Sequence, residues 1–420
     1  MANLTIAGLS PKTPAFTDLV PAADPVTGLA GKLTIAQLHG IEPVNDTITG
    51  NWLYNFYYNV VTKSGFMVNG AMVVPQGVCV RAFNYTETAR LSGGVTSITH
   101  NNIGMILGNY TPTMPSCASY SFPVLQFLGS SGSLGGSTIT SLSAPELIYL
   151  GSWPALLSSW QVSTFTLPKL KIIASGTSFI NGGTTPVTSI SFPELKYSGV
   201  SNTFIFNCLS LTSLNMPLLE SCVGLVISTN TVLPTISLPA LQSVRGNCNL
   251  AALPALSTLN LPALTEIGQI LTISGLTVIT TISLPALQTV GFRALVYTNG
   301  YITVSSCGSL TSFSIPAITA MGSNAGTSVL FINGTAALSS FTLGSTLLRV
   351  EGNWTMTSCA LNQASVDEIL VRLAALDGTG GTTAYSSKTV TITGTSSTPS
   401  ATGLAAKSTL VARGCTVTHN

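Results

Sequence analysis

The sequence predicts a mainly β protein built around a parallel β-solenoid of about ten coils, with a small α/β cap at its C-terminal end. Three observations predict it: a recurring proline, alternation of apolar and hydroxyl side chains before that proline, and a charged fraction of 7%. Ordinary soluble domains carry about a quarter charged residues, so the surface here must consist of hydroxyl and amide groups. We divide the chain into an N-terminal extended arm (1–50), a small β-rich module (51–117), the solenoid (118–358) and the cap (359–420).

The arm is rich in proline and apolar residues, and it is too short to enclose a core. A short helix is predicted at Thr34 to Leu38 within an otherwise extended segment. A segment without its own core needs a partner to order it. On its residues alone, the arm is an extended segment that a partner must order.

The β-rich module opens with the aromatic stretch NWLYNFYYNV. Alternation along a strand places every second side chain on the same face. The residues that share one face are Trp52, Tyr54, Phe56 and Tyr58. Such a stripe could stack on sugar rings, but large aromatic side chains on one strand face more often fill a core or a subunit contact. We therefore interpret it as an aromatic interface.

The solenoid is predicted from a period marked by proline at positions 123, 145, 168, 193, 217, 239, 262, 285 and 316, with Gly344 in the last slot. The gaps range from 22 residues (Pro123 to Pro145) to 31 residues (Pro285 to Pro316). Side chains one and three residues before the proline are apolar, and those two and four residues before it are Ser, Thr or Asn. This alternation is typical of a half-buried strand, and its fixed offset predicts one parallel sheet.

The outward column of these strands is the candidate binding face. Its residues are Thr164, Thr166, Ser189, Ser191, Ser213, Asn215, Thr235, Ser237, Thr258, Asn260, Thr281 and Ser283. The plainest interpretation is the solvated side of a sheet. A functional interpretation is an array of donors and acceptors that docks a glycan, a protein or a sister chain. Ice binding also uses ordered Thr ladders, but the mixture of Ser, Thr and Asn makes this array irregular.

The cap departs from the period. The pattern predicts a helix from Ser365 to Leu376, with Ser365 as N-cap and with Asp367 and Glu368 in its first turn. A strand (388–393), a helix (401–413) that Gly414 ends, and a final strand (415–419) follow. These elements form an α/β unit that covers the open end of the stack, which a solenoid requires.

Charge, hydropathy and cysteine usage exclude several partners. A net charge of +2 without a basic cluster gives no footprint for nucleic acid. Polar residues interrupt every apolar run before 18 residues, so we expect no membrane insertion, and the first residues lack the basic and apolar regions of a secretory signal. The eight cysteines show no metal-ligand spacing, which favours small buried thiols made in a reducing compartment.

Catalytic, cofactor-binding and metal-binding residues are not predicted. Glycoside hydrolysis needs two carboxylates about 5 to 10 Å apart, and only Glu146 and Glu194, two coils apart in the same slot, could meet this spacing. Lys169 occupies that slot in the coil between them, which favours a solvated Glu-Lys-Glu ladder. The three histidines are isolated, and no nucleophile motif accompanies them. We therefore expect a protein that is not an enzyme and uses no cofactor.

Three stretches carry a resemblance to known families. The Leu-Pro-x-Leu cores and Ser/Thr strands resemble the leucine-rich repeats common in bacterial surface proteins and in phage proteins. The strings LNQASVDEIL and PSATGLAAKSTLVARGCTVT look like the unit that closes such repeats in tailed-phage tail and fibre proteins. FTDLVPAADPVTGLAGKLTIAQLHGI is similar to the N-terminal segment of many phage structural proteins, where an Asp-Leu-Val-Pro stretch precedes a Lys-x-Thr-x-x-Gln-Leu stretch and the segment lies near the particle. This resemblance implies that the arm is a virion attachment segment, with the candidate contact residues Asp18, Leu19, Val20, Pro21, Lys32, Thr34, Gln37 and Leu38.

This resemblance implies a bacteriophage virion protein, made in the host cytoplasm and placed on the tail or another surface appendage. It would be a short tail fibre or receptor-binding spike, bound to other virion proteins through its arm and to a host-surface glycan or protein through its solenoid. A homo-oligomer such as a trimer is expected. The alternatives are a capsid or neck decoration protein, a bacterial surface adhesin and a polysaccharide depolymerase.

Overall fold

The computed structural model describes residues 118–131, 139–153, 162–176, 180–181, 187–293, 296–297, 300–322 and 328–420, together with six strands closer to the N-terminus. Two of these strands, β1 (Val20–Ala23) and β2 (Ala30–Leu33), form an antiparallel pair in which Pro21 lies opposite Lys32. The others are β3 (Val80–Ala82), β4 (Tyr85–Glu87), β5 (Ser97–Thr99) and β6 (Ile103–Pro112).

The strands before the recurring proline stack in parallel, and we call them row 1. They lie in four ladder segments that follow one another along the stack. With β5, row 1 consists of β7 (Ser119–Ser121), β9 (Ser141–Ser143), β11 (Thr164–Thr166), β14 (Ser189–Ser191), β16 (Ser213–Asn215), β18 (Thr235–Ser237), β21 (Thr258–Asn260), β24 (Thr281–Ser283), β29 (Ser312–Ser314) and β32 (Ser340–Thr342). Each strand is three residues long because the chain turns at the proline, which donates no ladder hydrogen bond.

Two further rows complete each coil. Row 2 follows the proline and contains β8 (Phe127–Ser131), β10 (Tyr149–Trp153), β12 (Ile172–Gly176), β19 (Ser243–Val244), β22 (Glu266–Ile267), β25 (Thr289–Val290), β30 (Ala320–Met321) and β33 (Arg349–Val350). Row 3 contains β13 (Ile180–Asn181), β20 (Cys248–Ala251), β23 (Leu271–Ser274), β28 (Ile302–Ser305), β31 (Ser328–Asn333) and β34 (Asn353–Cys359). Three long strands run through both rows: β6, β15 (Tyr197–Asn207) and β17 (Ser221–Ser228).

The pairing between successive coils is parallel in all three rows, which confirms the predicted β-solenoid of about ten coils. A short antiparallel hairpin of β26 (Phe292–Arg293) and β27 (Val296–Tyr297) lies within the longest repeat. The parallel ladder extends further toward the N-terminus than the boundary predicted at residue 118, since β5 pairs with β7, and β3 and β4 pair with β6. One repeat length (22 residues) before Pro123 the sequence has Asn101 and not proline. The residue that marks the period is therefore missing from this part of the ladder.

From Tyr120 to the cap, the core of the described residues is one continuous cluster. It contains the apolar residues of row 1, such as Phe165 and Ile236, and the leucine two residues after each proline, such as Leu241. These leucines are at most 3% exposed from Leu147 to Leu287. At about 25 cal/mol per Å² of apolar surface, burial of this kind is the main stabilising contribution to each coil. The corners between row 3 and row 1 require a left-handed residue in successive coils: Thr229, Ala252, Gly275, Ser306, Gly334 and Ser358.

The C-terminal cap contains α1 (Gln363–Ala374), β35 (Thr389–Gly394), α2 (Ala401–Ala412) and β36 (Thr416–His419). The predicted order of elements is correct, but the start of α1 is not. The N-cap is Asn362, whose side chain accepts a hydrogen bond from Ser365 N. Asp367 and Glu368 therefore lie in the second turn, and the helix ends at Ala374.

The first helix of the cap closes row 1. Ser365 Oγ accepts a hydrogen bond from Phe341 N at 2.9 Å, and Glu368 Oε1 accepts from Leu343 N and Gly344 N at 3.3 and 3.1 Å. These backbone donors would otherwise be left without partners at the end of the ladder. Row 3, by contrast, continues beyond the last coil, because β35 pairs in parallel with β34 and β36 pairs in parallel with β35.

Candidate binding face

All twelve residues predicted for the binding face lie in row 1, and the ladder places them in register. Thr164 pairs with Ser189 and Ser189 with Ser213, while Thr235 pairs with Thr258. Their side chains are exposed or half-buried, and the residue between each pair points into the core. Neighbouring strands are about 4.8 Å apart. The face is therefore two columns of short polar side chains on a regular grid.

Most hydroxyl groups of this face are available to a partner. Two amide side chains bridge adjacent coils: Asn215 Nδ2 donates to Ser191 Oγ at 3.0 Å, and Asn260 Nδ2 donates to Ser237 Oγ at 3.1 Å. Within the described part of the chain, the other predicted side chains form no hydrogen bond to protein: Thr164, Thr166, Ser189, Ser213, Thr235, Thr258, Thr281 and Ser283. Each of these hydroxyl groups offers one donor and two acceptor sites.

The adjacent column, five residues before the proline, behaves differently. Thr188 Oγ1 donates to Ser163 O at 3.0 Å, and Thr212 Oγ1 donates to Thr188 O at 2.9 Å. The same contact joins Ser257 to Pro234 and Thr311 to Thr280. These hydroxyl groups connect the corners of successive coils, so their single donor hydrogen is already used and only their acceptor sites remain for a partner. Sequence reasoning missed them, although their constant offset from the proline was readable.

The charged side chains of the first coils neutralise one another beside this face. Lys169 Nζ contacts Glu146 Oε2 at 2.6 Å, as the predicted ladder requires. Glu194, however, pairs with Lys171 at 3.8 Å and not with Lys169. Lys171 lies two residues further along the preceding coil, where the turn after the proline brings it beside Glu194. These charged side chains therefore form separate ion pairs and not one continuous Glu-Lys-Glu ladder.

A third pair joins Lys196 Nζ and Glu220 Oε1 at 3.1 Å, and Tyr197 Oη donates to Glu220 Oε2 at 2.7 Å. This hydrogen bond, together with burial, raises the pKa of Tyr197 to about 12. Burial acts to raise the pKa of Glu220, but the hydrogen bonds from Tyr197 and Lys196 outweigh it and hold that pKa below its usual value. Glu220 is therefore ionised and occupied by its neighbours at neutral pH.

The cysteines are not part of the predicted binding face. Cys208, Cys222, Cys248, Cys307, Cys359 and Cys415 are buried, as predicted, while Cys79 and Cys117 lie outside the described residues. Burial raises the pKa of Cys248 to about 12, so its thiol stays protonated. Among the described side chains, no three His, Cys, Asp or Glu residues come together as metal ligands would. Neither described helix is long and apolar enough to cross a bilayer.

The other predicted contact residues are placed only in part. Val20, Pro21 and Lys32 lie in the β1–β2 pair. The remaining residues of the candidate attachment segment and of the aromatic interface lie outside the described residues: Asp18, Leu19, Thr34, Gln37, Leu38, Trp52, Tyr54, Phe56 and Tyr58. Compared with protein-family models and with curated proteins, the chain gives no match.

Proposed function

We propose that this chain is a structural protein of a tailed-bacteriophage virion, a short tail fibre or receptor-binding spike that adheres to the host surface through row 1. The observation that carries the adhesive role is the division of labour between two hydroxyl columns. In the column five residues before the proline, the hydroxyl hydrogens are donated from coil to coil, while eight hydroxyl groups of the predicted face point outward and form no hydrogen bond to the described residues. The placement on a phage particle rests on the resemblance of the repeat, the cap and the arm to phage proteins.

The physical properties of row 1 suit adhesion by many weak contacts. Its side chains stand on strands fixed by the ladder, so binding orders few additional groups and costs little conformational entropy. None of the predicted face residues is charged, so the face matches a partner rich in hydroxyl or amide groups, such as a surface glycan or a polar protein surface. Several copies on one particle would combine weak sites into avidity.

Charge introduced on row 1 is expected to weaken adhesion. We expect the combined substitutions Thr235→Lys, Thr258→Lys and Thr281→Lys to reduce adsorption of virus particles to the bacteria on which they plaque by about tenfold or more. Three ammonium groups would replace matched hydroxyl contacts and would have to be desolvated on binding.

The matched control carries Gln242→Lys, Gln269→Lys and Gln288→Lys, at exposed positions of neighbouring coils on another face. It adds the same charge and should leave adsorption unchanged. Equal adsorption of the two triple variants would remove row 1 from the adhesive role. Thermal melting of both purified variants checks that the fold is retained.

Deletion of the arm is expected to prevent incorporation into particles without preventing folding. Deletion of residues 1–50 removes β1 and β2, which pair only with each other among the described strands. The shortened chain should therefore remain folded and soluble, with unchanged circular dichroism, yet be missing from purified particles. Normal incorporation of the shortened chain would remove the attachment role from the arm.

A further inference from the structure

The outer surface of the C-terminal cap is unusual for the end of a solenoid. Terminal units of repeat proteins normally present a polar outer face, which keeps the stack soluble. Helix α2 buries a narrow stripe of Gly403, Ala406 and Leu410. Its other sides expose Leu404 (46%) and Val411 (50%), with small alanine, serine and threonine side chains between them. Every exposed position of the helix is uncharged, and the hydroxyl groups of Ser408 and Thr409 donate back to Leu404 O and Ala405 O, so the exposed side is less polar than that of an ordinary surface helix.

The last strand, β36, lies at the same end and leaves one edge open. Among the described strands, it pairs only with β35. Thr416 N donates to Lys388 O of that neighbouring segment at 2.9 Å, so the alternation of a strand directs the N–H groups of Val417 and His419 to the open side. The strand reads Thr-Val-Thr-His and lacks the proline, lysine or bulge with which exposed edges are usually protected.

The nearby basic side chains are turned toward their own chain. Lys407 Nζ lies 3.1 Å from His419 Nε2, and Arg413 Nη1 donates to Leu376 O at 2.8 Å. Asn420 is held in place as well, because its Nδ2 donates to the carbonyl groups of Gly394 and Ser396, each at 2.8 Å. The exposed positions of α2 therefore form an uncharged surface beside a rigid, unpaired strand edge.

We propose that this end of the molecule is a docking surface for a second copy of the chain, related to the first by a two-fold axis. The two β36 strands pair in antiparallel orientation, and Leu404 and Val411 of each α2 pack against the other copy. A two-fold contact brings each surface against itself, so a charged face would repel its own copy, whereas this uncharged face does not. An open strand edge is equally self-complementary, since antiparallel pairing satisfies the same donors and acceptors on both strands.

The test compares the molar mass of the full chain with that of the double variant Leu404→Asp, Val411→Asp by light scattering during size-exclusion chromatography. Both residues are about half exposed, so the variant should fold normally, which the melting temperature verifies. The matched control is Val278→Asp, at 48% exposure on the side of the solenoid. We expect the double variant to have half the mass of the parent and the control to keep the parent mass.

Amide hydrogen exchange gives an independent measurement of the strand contact. The Val417 and His419 amides should be protected in the parent and in Val278→Asp, and should exchange rapidly in the double variant. A monomeric parent, a double variant with the mass of the parent, or fast exchange of both amides in the parent would each overturn the proposal. None of these results depends on the adhesive role of row 1.

Discussion

Gly268→Ala is expected to lower the free energy of unfolding by about 3 kcal/mol or more, because an added methyl group has no room between two coils. A Cβ at this position would lie 1.9 Å from Arg245 O and 2.6 Å from Arg245 C. Both atoms belong to the backbone of the preceding coil, so no side-chain rotation relieves the clash. Gly268 N also donates to Val244 O at 2.7 Å, and the shift needed to admit the methyl group would stretch this ladder contact.

Chemical denaturation measures this effect, and Gly308→Ala is the matched control. A Cβ at Gly308 would meet no atom within 4 Å, and its backbone is not in the left-handed region. We expect the control to unfold within about 0.5 kcal/mol of the parent chain. If Gly268→Ala had the same denaturation midpoint as the parent, the close approach of the coils at this corner would be contradicted.

Trp354→Ala is expected to cost about 3 to 5 kcal/mol, the range for removing a large aromatic side chain from a core. Trp354 is 0% exposed and packs edge-on against Phe341, with ring centroids 5.9 Å apart. Within the parallel ladder, Trp354 pairs with Leu330 of the preceding coil on one side and with Val390 of the cap on the other. In a stack where units contact only their neighbours, a cavity at this junction weakens the attachment of the cap to the solenoid.

Comparison of Trp354→Phe with Trp354→Ala separates the free-energy cost of the cavity from the effect of the unpaired indole N–H. Trp354 Nε1 is buried without a hydrogen-bond partner among the described residues, and such a donor destabilises the folded state by about 1 to 3 kcal/mol. Phenylalanine removes this donor and fills part of the space, so calorimetry should give a loss well below that of Trp354→Ala. Equal losses for the two variants would contradict this assignment of the energy.

Row 1 could be predicted from the sequence because two independent patterns agree there. The alternation around Phe165 and Ile236 gives the strand and its buried face, and the proline slot gives the register between coils. Row 2 was harder to predict, because strands such as Glu266–Ile267 are too short to show a period. Its position follows from the closure of the coil, which no single repeat reveals.

The start of α1 and the pairing of Glu194 show why other details could not be read from the sequence. Asn362 and Ser365 are both good N-caps, and the choice between them depends on a tertiary contact, since Ser365 Oγ accepts a hydrogen bond from Phe341 N of row 1. Lys169 and Lys171 are equally plausible partners for Glu194 on charge alone. Only the path of the turn after the proline decides between them.

The equal spacing of the middle coils has a consequence for how the length of such a protein can change. Pro239, Pro262 and Pro285 are separated by 23 residues each. Each of these coils therefore contacts the coil before it and the coil after it at equivalent positions. Gain or loss of one complete interval would therefore leave every remaining junction intact and would alter the reach of the molecule by about 4.8 Å. Length in this architecture varies in whole steps, and a genetic change that respects the interval adjusts distance without altering the chemistry of the surface.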